Sequence, residues 1–214
     1  MTVDDLKKRL RENGNEENRF FMEKYMRNQF PFLGIKTPER GEIMKDFYKF
    51  YDAFSLDDVR SLYHEKEREM RYSALSLLTR YRDMLSYDDL PVLLELALTD
   101  PWWDTIDSFA PSVFGPMALK DPRVKEKMRM LADEENIWKI RISILFQLKY
   151  KDKMDEALLK EVILKNASTK EFFVDKAIGW ILREYSKTKP EFVRQFLNEH
   201  ELSALSVREC SKYI

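Results

Sequence analysis

Two stretches of this 214-residue chain carry residue types at spacings that suit binding chemistry. Trp102-Trp103-Asp104-Thr105-Ile106-Asp107 puts Trp103 four residues before Asp107, and Trp138-Lys139-Ile140-Arg141 puts Trp138 three before Arg141. On a helix, residues three or four apart share a face. An indole face beside a carboxylate suits a flat, cationic ligand, and an arginine beside both suits a phosphate. A third stretch, Gly179-Trp180-Ile181-Leu182-Arg183, holds the fourth tryptophan and a further arginine. Together these residues point toward damaged nucleic acid. Tryptophan on an amphipathic helix more commonly packs in a core, so each ring also has a plain structural reading. For Trp138, between Ile137 and Ile140, packing is the expectation.

The elements that position these side chains read as helices throughout. Leu158, Leu159, Val162 and Ile163, preceded by Met154, trace one apolar stripe at helical period. Ser168-x-x-Glu171, Thr188-x-x-Glu191 and Ser206-x-x-Glu209 fit capping boxes. Thr37-Pro38, Asp100-Pro101 and Asp121-Pro122 place a cap residue before a proline that the first helical turn tolerates. Short loops between such signals predict about a dozen helices laid out as stacked pairs, without strands. Tyr72, Asp107, Arg141 and Lys176 recur at intervals of 35, 34 and 35 residues in successive apolar helices. A period in the thirties marks a helical-pair solenoid, in which no single repeat buries its apolar face alone. The expected fold class is therefore all-α, a HEAT-like helical-repeat solenoid forming one domain over residues 1–214.

Composition narrows the classes of function. The chain is 44% hydrophobic and 35% charged, with 5 glycines and 8 prolines, which is little material for a turn-rich β fold. A net charge of −1 means that any nucleic-acid surface is a local patch. Asn136 to Lys153 carries five basic residues against Asp152 alone, and Asp83 to Asp107 carries seven carboxylates and no lysine or arginine. The basic stretch suits phosphates or an ordinary solvated helix face equally well. One cysteine, Cys210, excludes an internal disulfide and a cysteine-built zinc site, and His64 and His200 lack partners at metal-ligand spacing. No metal and no cofactor are expected. The acidic start Met1-Thr2-Val3-Asp4-Asp5 is unlike a signal peptide, and no apolar run reaches membrane-spanning length, so a cytoplasmic protein without a membrane partner is expected.

Four segments, in order, carry a more specific signal. They are Lys24 to Ile35 (KYMRNQFPFLGI) followed by Thr37-Pro38-Glu39-Arg40; Trp102 to Asp107; Ile137 to Arg141 with Phe146-Gln147-Leu148-Lys149-Tyr150; and Lys170 to Phe173 running through Lys176-Ala177-Ile178-Gly179-Trp180 to Tyr185. With them the chain resembles, over nearly its whole length, the DNA alkylation repair family of HEAT-like-repeat alkylpurine glycosylases, the AlkD type. The resemblance implies an enzyme that cuts the N-glycosidic bond of purines alkylated at N3 or N7 in duplex DNA, acting as a monomer. It implies Asp107 as the catalytic carboxylate, Trp103 and Trp180 as the rings bordering the lesion, Arg141 as a DNA-contacting arginine and Tyr25 as a cleft tyrosine. Ile142 stands where the family leads one to expect alanine, and the C-terminus is somewhat short.

The chemistry agrees with these residue types. A purine alkylated at N3 or N7 is already cationic and leaves without protonation. One carboxylate then suffices to stabilise the oxocarbenium-like sugar and orient water. Asp104 reads as a helix-start residue favoured by the dipole. Two other readings use the same residues differently: a non-catalytic helical array that binds distorted or alkylated duplex, and a protein-interaction scaffold in which the tryptophans are core or peptide-groove residues.

Overall fold

The computed structural model describes residues 1–212. Among them the chain forms fourteen α-helices joined by short turns and no strand, as the periodicity predicts. Where the sequence reads as one domain, the contacts gather into two units, Met1–Asp83 and Met84 onward.

The first unit contains α1 (Val3–Glu12), α2 (Glu16–Tyr25), α3 (Thr37–Tyr48), α4 (Leu56–Tyr63) and α5 (Arg68–Arg80). A box missed in the sequence starts α1: Thr2 Oγ1 accepts from the Asp5 amide while the Asp5 carboxylate accepts from the Thr2 amide. Val3, Leu6 and Leu10 then form the buried stripe of α1. Ile43, Met44 and Phe47 do the same for α3, and Val59, Leu62 and Tyr63 for α4, whereas α2 buries no residue. The link from α2 to α3 is held by one fully buried carboxylate. Glu69 on α5 accepts from the amides of Leu33, Gly34 and Ile35 at 2.9, 2.8 and 3.1 Å. Gly34 allows this turn because its φ is +85°, and a Cβ there would lie 1.9 Å from the Asn15 carbonyl.

The second unit contains α6 (Leu90–Ala97), α7 (Trp103–Phe109), α8 (Gly115–Lys120), α9 (Pro122–Met130), α10 (Ile137–Leu145), α11 (Glu156–Asn166), α12 (Phe172–Ser186), α13 (Pro190–Glu199) and α14 (Ala204–Cys210). Its core follows from the repeat. Helices α7, α10, α12 and α14 pack side by side in a row, with α9 and α11 against α10 and α13 against α12. Side chains bridge the row at nearly the sequence period. Arg141 reaches Asp107, 34 residues back; Tyr150 Oη donates to the Gly115 carbonyl across 35; Lys176 reaches Glu209 across 33. The predicted stripe of α11 is buried at Leu158, Leu159, Val162 and Ile163, while Met154 precedes the helix.

The three expected capping boxes do not form. Ser206 lies inside α14, which Ser203 caps, and its hydroxyl donates to the Asp175 carbonyl at 2.9 Å. Its expected partner Glu209 is drawn to Lys176, Arg183 and Lys212 at 2.9, 3.1 and 3.0 Å. Charge-assisted tertiary bonds outweigh a local amide cap at that position. Glu171 and Lys189 stand at the N-caps of α12 and α13 instead of Ser168 and Thr188. Of the cap-proline pairs, Asp121 does cap α9, accepting from the Arg123 amide at 2.8 Å. Before α3 the cap position falls on Lys36, and before α7 on Trp102.

Close packing of α12 on α14 depends on Gly179, where a Cβ would lie 2.5 Å from Glu209 Cβ and 2.8 Å from the Ser206 carbonyl. Alanine gains up to about 1 kcal/mol of helix propensity but must push backbone aside, an overpacking cost of about 1–3 kcal/mol. Gly179→Ala is therefore expected to lower the thermal midpoint by a few degrees. A midpoint equal to or above the parent's would show that α14 yields freely.

Candidate active site

Asp107 lies on α7, four residues after Trp103, and the same chain segment continues without a break into a π-helical turn, Ala110–Phe114. The cause is Pro111. It has no N–H to donate to the Asp107 carbonyl four residues back, so the backbone widens, and the Gly115 amide donates to Ala110 five residues back. Phe109 and Phe114 stack at 5.7 Å inside this turn. The following helix is clamped from α10's side: Gly115 leaves room for the Phe146 carbonyl, 2.4 Å from where a Cβ would stand. Lys149 donates to Ser112 Oγ at 2.9 Å. Asp107 therefore sits at the rim of a locally widened, well-anchored helix.

Arg141 comes from α10, whose start is set by Asn136 Oδ1 accepting from the amides of Trp138 and Lys139. Its guanidinium meets Asp107 as a fork: Nε donates to Oδ1 at 2.7 Å and Nη2 to Oδ2 at 2.8 Å. Nη1 donates to the Phe173 carbonyl at the start of α12. The Arg141 side chain is 5% exposed and that of Asp107 16%. Burial pushes the Asp107 carboxyl above its ordinary value of 3.8, and the hydrogen bond and charge of Arg141 pull it back only in part; Asp104 adds a small upward push. The arrangement is a carboxylate fixed in direction by a bidentate partner, mostly dehydrated, with one edge at the surface.

This geometry gives Arg141 a different place from the one sequence reasoning expected. Expected on a phosphate, it is instead turned inward, with Nε, Nη1 and Nη2 each donating to a protein oxygen. What the fold supports is positioning of Asp107. Phe173, which the sequence did not single out, holds the third donor, and its own position is fixed by rings. Trp138 lies 4.9 Å and Trp102 5.2 Å from Phe173, and the two tryptophans 5.6 Å from each other, centroid to centroid. Such pairs contribute about 0.5–1.5 kcal/mol each beyond area burial. Trp138 is 8% exposed, in keeping with the packing expected of it. The cluster has a signal in retrospect, since Trp138 and Phe173 stand one period apart.

The other expected residues are placed as follows. Trp103 is half-buried and shares the Asp107 face of α7. Trp180 is half-buried on α12, one turn beyond Lys176 in the row to which Arg141 belongs. Tyr25 ends α2 in the first unit and is 73% exposed. Asp104 occupies the first turn of α7, as its helix-start reading requires. No cluster of three or more His, Cys, Asp or Glu side chains among the described residues is arranged to hold a metal. No helix among them is long and apolar enough to cross a membrane.

Comparison with known proteins now bears on this site. The family described as DNA alkylation repair enzyme matches residues 6–214. The chain belongs to the DNA alkylation repair family. A solved structure described as a predicted DNA alkylation repair enzyme from Enterococcus faecalis is 33% identical to it. The match covers 94% of this chain and 96% of that one, with a TM-score of 0.86. No curated protein matches. The all-helical repeat fold is thus that of the family, and the paired Asp107 and Arg141 are a feature of this member.

Proposed function

We propose that this member of the DNA alkylation repair family is a monofunctional DNA glycosylase of base excision repair, hydrolysing the N-glycosidic bond of cationic N3- or N7-alkylated purines. It acts as a monomer on duplex DNA, in the cytoplasm, with no metal or cofactor. The observation that carries the reading is the Asp107 carboxylate, held by the Arg141 fork, 16% exposed and on one helix face with Trp103.

In this reaction the bond from C1′ to the purine nitrogen breaks and its electron pair passes to the ring, cancelling the positive charge of the alkylated base. A water oxygen bonds to C1′, and the proton of that water leaves to solvent. Asp107 faces the positive charge that develops on the sugar and accepts a hydrogen bond from the water. Low local dielectric strengthens the first effect, and the Arg141 fork prevents the carboxylate from swinging away. Trp103 and Trp180 present indole faces to the cationic nucleotide, each worth about 0.5–2 kcal/mol. Tyr25 supplies a further aromatic contact. Arg141 acts through Asp107 in this scheme, and reaches a phosphate only with the N–H groups the fork leaves over.

The test is release of free alkylated purine from methylated duplex DNA. A parent protein that binds duplex and releases no base would sink the glycosylase reading. The pH profile carries a second expectation. Asp107 must be charged to act, and burial raises its pKa, so activity is lost as pH falls through a value above 3.8. Arg141→Gln removes the group that lowers this pKa, and the acid limb is expected to move to higher pH. An unmoved limb would mean that another group sets it.

A further inference from the structure

In the first unit, α3 and the end of α5 bound an open hollow of about 400 Å³ lined by Gly41, Lys45, Tyr48, Lys49 and Arg80. Gly41, Lys45 and Tyr48 lie along one face of α3, and Lys49, its C-cap, follows four residues after Lys45. The Arg80 guanidinium lies 4.4 Å from the Tyr48 ring centroid and 5.9 Å from that of Tyr81. The ring contact holds the guanidinium beside Tyr48, and the residue is exposed. No carboxylate lines the hollow.

Each lysine is paired with a solvent-exposed carboxylate of α3. Lys45 stands 3.5 Å from Glu42, with the side chains 68% and 75% exposed. Lys49 stands 2.8 Å from Asp46, which also takes Arg9 at 2.8 Å and so keeps a partner if Lys49 turns away. Exposed pairs of this kind contribute little and re-partner readily. Gly41 has no packing duty, since a Cβ there would meet nothing within 4 Å. A glycine inside a helix costs about 0.5–1 kcal/mol against alanine, and its effect here is to leave the α3 backbone open beside the cations. Burial pushes the Tyr48 hydroxyl up to about 12, so it remains a neutral donor.

We propose that this hollow seats one phosphodiester of the DNA backbone through Lys45, Lys49 and Arg80, a contact that belongs to the first unit and is additional to the Asp107 site. The proposal rests on the DNA reading given above. A nucleotide base is a poor fit, because Arg80 occupies a face of the one aromatic ring in the lining, and the lining is otherwise cationic stems and a glycine.

The experiment measures affinity for an undamaged duplex over a series of salt concentrations. The variants are Lys45→Ala with Lys49→Ala, Arg80→Gln, all three together, and Lys8→Ala with Lys66→Ala as a charge-matched control on exposed residues. One lost phosphate contact makes the slope of log K against log salt shallower by about one. The lysine pair and Arg80→Gln are each expected to give up to this loss, the triple variant no more than it, and the control none. Lysine variants that track the control overturn the proposal while leaving the glycosylase reading intact. Saturable binding of inorganic phosphate, lost in the triple variant while the duplex slope is unchanged, also overturns it and assigns the hollow to a free anion. A parent protein that binds no duplex overturns the DNA reading itself.

Discussion

Asp107→Asn is expected to lower the rate of alkylpurine release by about 100-fold or more, the scale seen when one preorganised electrostatic contact to a transition state is removed. The exchange keeps the side-chain shape and deletes the charge that faces the developing sugar cation. It also turns an amide NH₂ or a single carbonyl toward the Arg141 fork, where the parent has two acceptors at 2.7 and 2.8 Å. Duplex binding is expected to survive, because binding and chemistry draw on different groups. The measurement is single-turnover release, with circular dichroism to confirm folding. A variant that keeps activity within a few-fold of the parent would remove Asp107 from the mechanism. Loss of release together with loss of duplex binding would instead point to a binding role for the same carboxylate.

The second large effect is an asymmetry in stability. An arginine guanidinium is a permanent cation, so Asp107→Ala leaves a buried, uncompensated charge and is expected to cost about 3–5 kcal/mol. Arg141→Met leaves a carboxylate whose pKa burial already raises. That carboxylate can neutralise by taking up a proton, so the cost is expected to be smaller and to shrink at lower pH. The sign follows from linkage: the upward shift grows when Arg141 is gone, so the protonated form is favoured further as pH falls. The double variant is expected to recover part of the loss, with a coupling of about 1–3 kcal/mol. Denaturant unfolding of the four proteins measures it. Strict additivity, or a costlier Arg141→Met, would mean that the fork holds little of the fold together. Phe173 then becomes the partner to test, since its carbonyl is the other acceptor of Arg141.

The repeat explains why so much of this was readable in advance. A helical-pair array brings residue i beside residue i + 34 or i + 35, and the interval between Asp107 and Arg141 is of that length, although the sequence reading placed the arginine on a phosphate. The same interval joins the Trp138 and Phe173 rings. Local capping was less legible. Ser168, Thr188 and Ser206 each stand three residues before a glutamate, yet the glutamates serve other partners or stand at the cap themselves. A four-residue pattern cannot register a cation arriving from a helix 33 residues away.

By itself, then, the sequence determined the all-helical class, the period and the row of candidate side chains, because helical faces and repeat spacing are one-dimensional properties. Four ordered motifs with Asp107 at their centre were enough to indicate the family. Tertiary structure decided what those side chains do. Whether an arginine meets a phosphate or a carboxylate depends on which oxygen lies within about 3 Å of its fork. Only the packing of α7, α10 and α12 put Asp107 and the Phe173 carbonyl there. The proline-widened turn after Asp107 and the open basic hollow on α3 have the same origin: both depend on where neighbouring backbone stops, and spacing in a sequence carries no record of that.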